Sequence, residues 1–201
     1  PAGATLAHLA ALRPTLSVVI VGPGVGALAA SLEAGDTLTF YETLNCKSWD
    51  ELKQMKVCYL GDGNNIANSL IVMSKIMGFS LSLACPKGYE PQGDSFEQVY
   101  NTVEDAIAGA HFVYTDTWTS MGQEAESQKR VRDFQGFTVT MDLLKKAAAN
   151  CYFMHCMPIH KNEEVEDAVI QSDRSIIFDQ AENRLHAQKA VLVYLTRGSE
   201  S

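Results

Sequence analysis

Short apolar runs recur along the chain from about residue 56 onward, at 57–60, 81–84, 112–115, 152–154 and 176–178. They lack polar alternation, which is the pattern of strands buried on both faces of a parallel sheet. Between them, apolar positions recur at helical spacing. Residues 64–77 carry Ile66, Leu70, Met73 and Met77, while 95–108 opens with Ser95 followed by Gln98, a capping-box pair. Residues 140–149 and 163–171 read as further helices, and 180–195 as the longest and last. Strand–helix alternation of this kind predicts an α/β fold of about five strands. The sheet would be parallel and doubly wound, Rossmann-like, with right-handed crossovers placing helices on both faces.

The first 35 residues break this pattern. They are rich in Ala, Leu and Gly and nearly free of charge. Residues 36–55 read as an amphipathic helix, a turn at Ser48-Trp49-Asp50-Glu51, and the lead into the first strand. The expected division is an atypical leader at 1–35 and a single domain at 36–201. The chain begins at Pro1 and not at methionine, as expected of a processed chain or a piece of a longer one.

Composition narrows the partners. A formal net charge of -8 argues against nucleic acid. No apolar run approaches the ~20 residues that span a bilayer, so no membrane partner is expected. The five cysteines are scattered and form no CxxC pair, which predicts a reducing compartment, the cytoplasm, and no structural zinc.

Candidate chemistry lies where strands end, since open α/β sheets bind ligands at their carboxyl edge. The run Tyr152-Phe153-Met154 stops in His155-Cys156-Met157-Pro158. Cys156 reads either as an inert buried thiol or as a reactive or hydrogen-bonding one at a strand end, with the second favoured by position. The strand at 112–115 leads into Asp116-Thr117-Trp118-Thr119-Ser120-Met121-Gly122. An acceptor carboxylate beside a thioether suits a cationic amine on an aliphatic stem. Asp116 as a helix cap and Met121 as core are the plainer readings. Gly61-Asp62-Gly63-Asn64-Asn65 follows the first strand, either as simple turn-and-cap chemistry or with an Asn carboxamide facing a ligand. Arg184 is expected in the first turn of the closing helix, where a cation opposes the macrodipole and oxyanion binding is its natural use; the nearby Glu182 would hold it. A strand running into Gly22-Pro23-Gly24-Val25-Gly26 offers a dinucleotide turn, though its spacing departs from G-x-G-x-x-G.

Taken together, Gly61 to Asn65, Pro86-Lys87-Gly88-Tyr89-Glu90-Pro91, Asp116 to Gly122, His155 to Pro158 and Ala181 to Arg184 resemble the ornithine carbamoyltransferases, in family order and spacing over about 36–195. Met157 stands where the family motif has leucine. The resemblance implies that Asn65, Asp116, Ser120 and Met121 bind ornithine. It implies that Cys156, Met157 and Arg184 meet carbamoyl phosphate, with His155 as a further substrate-binding residue and Cys156, Asp116 and Arg184 as the catalytic candidates. It implies transfer of the carbamoyl group to the δ-amine of ornithine, giving citrulline, with no metal or organic cofactor, in a trimer-based homo-oligomer. The family's Ser-Thr-Arg-Thr and His-Pro-x-Gln phosphate motifs do not occur in the sequence. The expectation is therefore the ornithine-binding half without the carbamoyl-phosphate domain. The alternatives are a non-catalytic amino-acid-binding module of the same family and a dinucleotide-binding protein.

Overall fold

The computed structural model describes residues 26–91, 98–119 and 124–197. The chain forms two compact units, Asp50–Ile177 and a second made of Pro1–Trp49 with Phe178–Ser201.

The larger unit is built on a five-stranded sheet, β1 (Lys56–Leu60), β2 (Ser80–Ala84), β3 (Val99–Tyr100), β4 (Phe112–Thr115) and β5 (Tyr152–His155), in the order β3-β2-β1-β4-β5. Every pairing is parallel. The strands are buried on both faces, as their unbroken hydrophobicity requires: Val57, Tyr59, Leu83, Phe112, Tyr114 and Phe153 are all fully buried. Each such side chain contributes roughly 1.5–3 kcal/mol by leaving water. His111 stitches the amino end of the sheet: its Nδ1 accepts from the Lys56 N–H at 3.0 Å.

The helix after β1, α2 (Asn65–Met77), starts where Asn64 accepts from the Ile66 N–H at 3.1 Å. It stops at Gly78, whose φ of 80° lets the chain turn out and its N–H cap the Ser74 carbonyl. Leu70, Met73 and Met77 lie on its buried face, as their spacing predicts. The remaining helices of this unit are short: α3 (Val103–Ile107), α4 (Ser127–Asp133), α5 (Met141–Leu144) and α6 (Asp167–Ile170).

Two sequence expectations need correction. Residues 176–178 are not a strand: only Ser175 makes an isolated bridge, to Phe153, and the closing helix α7 (Ile177–Arg197) begins at once. Three apolar residues followed by Asp179, Gln180, Ala181 and Glu182 favour a helix with acid in its first turn. The fifth strand is instead Val99–Tyr100, inside the helix expected at 95–108. A β-branched and an aromatic residue pair there with Leu83 and Ala84, and the helix starts only after Thr102. The Ser95 end of that expected helix lies outside the described residues.

In the smaller unit, α1 (Gly26–Thr43) packs against α7. The helices touch backbone to backbone at Gly35, where a Cβ would lie 3.0 Å from the Arg184 Cα. The seam is polar but satisfied: Gln180 donates to Asp36 at 2.8 Å, and Asn183 donates to Thr39 at 3.1 Å and to Glu42 at 2.9 Å. α1 runs through residues 35 and 36 without a break. Residues 22–25 of the glycine turn lie outside the described residues. No helix among the described residues is long and apolar enough to cross a membrane.

Candidate functional site

The last rung of the sheet aligns Ala84, Leu60, Thr115 and His155 on four adjacent strands. One residue further on lie Cys85, Gly61, Asp116 and Cys156, side by side along the carboxyl edge. The chain leaves β1 to build β2 and β3 on one side, then returns to add β4 and β5 on the other. The loops after β1 and β4 therefore flank the switch point where open α/β sheets bind ligands.

Register explains the central contact. Asp116 and Cys156 are each the first residue past neighbouring strands, and the Cys156 thiol donates to Asp116 Oδ1 at 3.1 Å. The same oxygen accepts the Thr117 N–H at 2.7 Å, which fixes the carboxylate. Both residues are half-buried. The thiol is thus presented as a hydrogen-bond donor to a carboxylate, the hydrogen-bonding role that its place at a strand end suggested. The other strand cysteines differ: burial pushes the thiols of Cys58, Cys85 and Cys151 up to about 12, which makes them inert core. Burial first, and then the charges of Asp116 and Cys156, likewise hold the Tyr59 hydroxyl well above its ordinary value. That hydroxyl donates to the Asp62 carbonyl at 3.0 Å.

His155 is buried and organises the turn. The Met157 N–H can only donate, so His155 Nδ1 accepts it at 2.9 Å, leaving Nε2 to face the fully buried Glu164 at 3.2 Å. Both ring nitrogens are thus engaged within the chain, a positioning arrangement. It holds Met157 at a φ of 52°, a left-handed conformation that costs a non-glycine residue about 1–2 kcal/mol. Met157 is 39% exposed, at the head of a cis bond to Pro158. One donor atom each from Asp116, His155 and Cys156 lie within 4.8 Å of one another, yet all three are already tied to neighbours.

Asn65 is exposed at the first position of α2, beside the capping Asn64. Asn68 bonds back to the Asn64 carbonyl at 2.9 Å, as a helix-groove residue. Ser120 and Met121 lie outside the described residues. Arg184 is exposed on α7 in the smaller unit. It sits eight residues into that helix and not in its first turn, because the helix begins at Ile177, so the macrodipole argument does not apply to it. Glu182, expected to hold it, instead lies 3.5 Å from His186.

Sequence reasoning missed the buttress of this edge. Arg130, 6% exposed, donates to Asp62 at 2.6 Å and to the Trp118 carbonyl at 2.9 Å. One guanidinium thus joins the loop after β1 to the loop after β4. Trp118 is buried against Phe134, which also packs on Tyr89, and the Arg130 guanidinium lies 5.0 Å from the Tyr89 ring centre. The Pro86–Pro91 segment crosses Gly63, whose N–H donates to the Tyr89 carbonyl at 2.7 Å.

The geometry matches a known family. Residues 53–195 match the aspartate/ornithine carbamoyltransferase family model, in its Asp/Orn binding domain. The chain belongs to the aspartate/ornithine carbamoyltransferase family. Among curated members, it is 46% identical over 161 residues to the anabolic ornithine carbamoyltransferase of Pyrococcus furiosus, covering 73% of this chain and 51% of that protein. It is 40% identical over 190 residues to the ornithine carbamoyltransferase of Thermococcus kodakarensis, covering 88% and 60%. The solved Pyrococcus furiosus ornithine carbamoyltransferase superposes with a TM-score of 0.73 at 40% identity, over 81% of this chain and 55% of that one. This family member therefore spans about half the length of the curated relatives it matches.

Proposed function

We propose that this chain supplies the ornithine-binding half of an ornithine carbamoyltransferase, as the domain at 36–201. Ornithine would sit over the carboxyl edge of the sheet. Asn65, Asp116, Ser120 and Met121 would hold its amino-acid groups and aliphatic stem. Cys156, Met157 and Arg184 would meet carbamoyl phosphate, with His155 holding the Met157 turn. In the reaction, the neutral δ-amine nitrogen forms a bond to the carbamoyl carbon, the carbon–oxygen bond to phosphate breaks, and the nitrogen loses one proton. Asp116 and Cys156 would orient the amine and accept or relay that proton, while Arg184 would stabilise charge on the departing phosphate.

The observation that carries this reading is the 3.1 Å contact between Cys156 and Asp116 on the register-matched ends of β4 and β5. A carboxylate with one oxygen fixed by a thiol and a backbone N–H is poised to receive an ammonium or amine on the other.

A second reading shares this site: a module that holds an ornithine-like zwitterion without turning it over. It is favoured by the half-length match. A citrulline-formation assay on the chain, run beside calorimetric ornithine titration, separates the two. Citrulline production supports the enzyme; ornithine binding without citrulline supports the module; absence of both defeats the site assignment.

A further inference from the structure

Beyond β5, on the far side of the His155 turn, three potential metal ligands converge. One donor atom each from His160, Glu163 and Glu164 lie within 4.8 Å of one another. Two carboxylates and a neutral imidazole carry a charge of about −2, which balances a divalent cation.

Proximity of acids is common on surfaces, but Glu164 is unusual. It is fully buried, and its two oxygens have different fates. Oε1 accepts from the His160 N–H at 2.6 Å and faces His155 Nε2 at 3.2 Å. Oε2 is sealed from solvent with no hydrogen-bond partner. A buried carboxylate oxygen left unpaired is unfavourable unless a cation or donor meets it. It points toward the His160 ring, with Nδ1 at 3.9 Å. Two ligands each about 2.0–2.1 Å from a tetrahedral zinc stand about 3.3–3.4 Å apart, so a few tenths of an ångström of closure would seat an ion between them.

The frame that would hold these ligands is already built. The His160 backbone is tied to Glu164, the Glu163 N–H donates to the His160 carbonyl at 3.1 Å, and Thr138 donates to the Glu163 carbonyl at 2.7 Å. The contacts to Glu164 Oε1 are the kind of outer-shell bonds that orient a ligating carboxylate. His160 is 51% exposed at its side chain, which leaves an approach path and room for water as a fourth ligand.

We propose that His160, Glu163 and Glu164 form a binding site for a divalent first-row transition ion of zinc-like preference, coordinated through His160 Nδ1, a Glu163 oxygen and Glu164 Oε2. The mixed nitrogen and oxygen donor set suits zinc or cobalt over calcium or magnesium. The site is separate from the Asp116–Cys156 pair, and the bound ion would brace the turn that follows Cys156.

The test uses the full chain carrying Cys156→Ser, which removes the one accessible thiol donor of the sheet edge. Zinc is titrated calorimetrically, and cobalt is followed by absorption. The expected result is one zinc equivalent, a visible cobalt band without thiolate charge-transfer absorption, and at least a tenfold loss of affinity in both H160A and E163Q. These two side chains are exposed, so their replacement spares the fold. Absence of zinc binding in the Cys156→Ser chain overturns the proposal, and so does binding that H160A and E163Q leave unchanged.

Discussion

Single side chains at the sheet edge differ in chemistry because their burial differs. Cys156 is half-buried and donates to a carboxylate, whereas burial pushes Cys58, Cys85 and Cys151 up to about 12. A thiol reagent at neutral pH is therefore expected to label Cys156 in the native chain, and the other three only on unfolding; mass mapping after a timed pulse reads this. Glu90 gives a pH prediction. Hydrogen bonds from its own backbone N–H, then from Gly88 at 2.7 Å and Asn101 at 3.1 Å, hold its carboxyl below the usual 4.5. A depressed folded value means the stabilisation is present above the unfolded value and lost as pH falls through the folded one. An NMR titration should show Glu90 protonating below 4.5, with the Pro86–Pro91 segment loosening over that same interval. Asp116 and Cys156 were legible from sequence as candidates because both lie just past apolar runs; that these runs are neighbouring strands, which brings the two side chains together, came only with the sheet order. The ion pair of Asp62 with Arg130 was not legible, since 68 residues separate the two and Arg130 sits in no motif that points to the turn holding Asp62. Replacing Asp62 by Ala leaves the buried Arg130 guanidinium only the Trp118 carbonyl and the 3.6 Å contact to Glu126, and urea unfolding should report a loss of about 1.5–3 kcal/mol, the worth of a hydrogen bond to a charged group.

At the scale of elements, the turn between β1 and α2 depends on glycine for space. A Cβ on Gly63 would lie 2.2 Å from the Pro91 nitrogen, against backbone that cannot step aside like a flexible side chain. Gly63→Ala is expected to cost about 1–3 kcal/mol in a urea midpoint, by overpacking. It should also weaken ornithine binding, since Asn65 sits two residues on. The strand β1 and its capped helix α2 were readable because periodicity, cap and Gly78 terminator agree. Val99–Tyr100 was not, because two residues carry too little pattern and only pairing with β2 makes them a strand. The closing helix was legible, but its start was not: the apolar triplet at 176–178 mimics a strand, and moving the start back to Ile177 takes Arg184 out of the first turn.

For the whole molecule, the family and the parallel sheet follow from the chain, while activity belongs to the proposal, because the matched relatives are about twice as long. Carbamoyl phosphate is a dianion, and each charge-assisted hydrogen bond to it is worth roughly 1.5–3 kcal/mol. If three or four of those donors lie in sequence this chain does not contain, its affinity for carbamoyl phosphate falls at least ~10³-fold. Ornithine should then bind the chain far more readily than carbamoyl phosphate does, which parallel titrations would reveal. The most direct test of the central claim is calorimetric titration of ornithine into the chain and into Asp116→Asn. The account predicts saturable one-to-one binding that falls about 10- to 150-fold in the variant, as expected when a charge-assisted contact of 1.5–3 kcal/mol is lost. Equal affinity in the two proteins, or no binding to the unmodified chain, would contradict it.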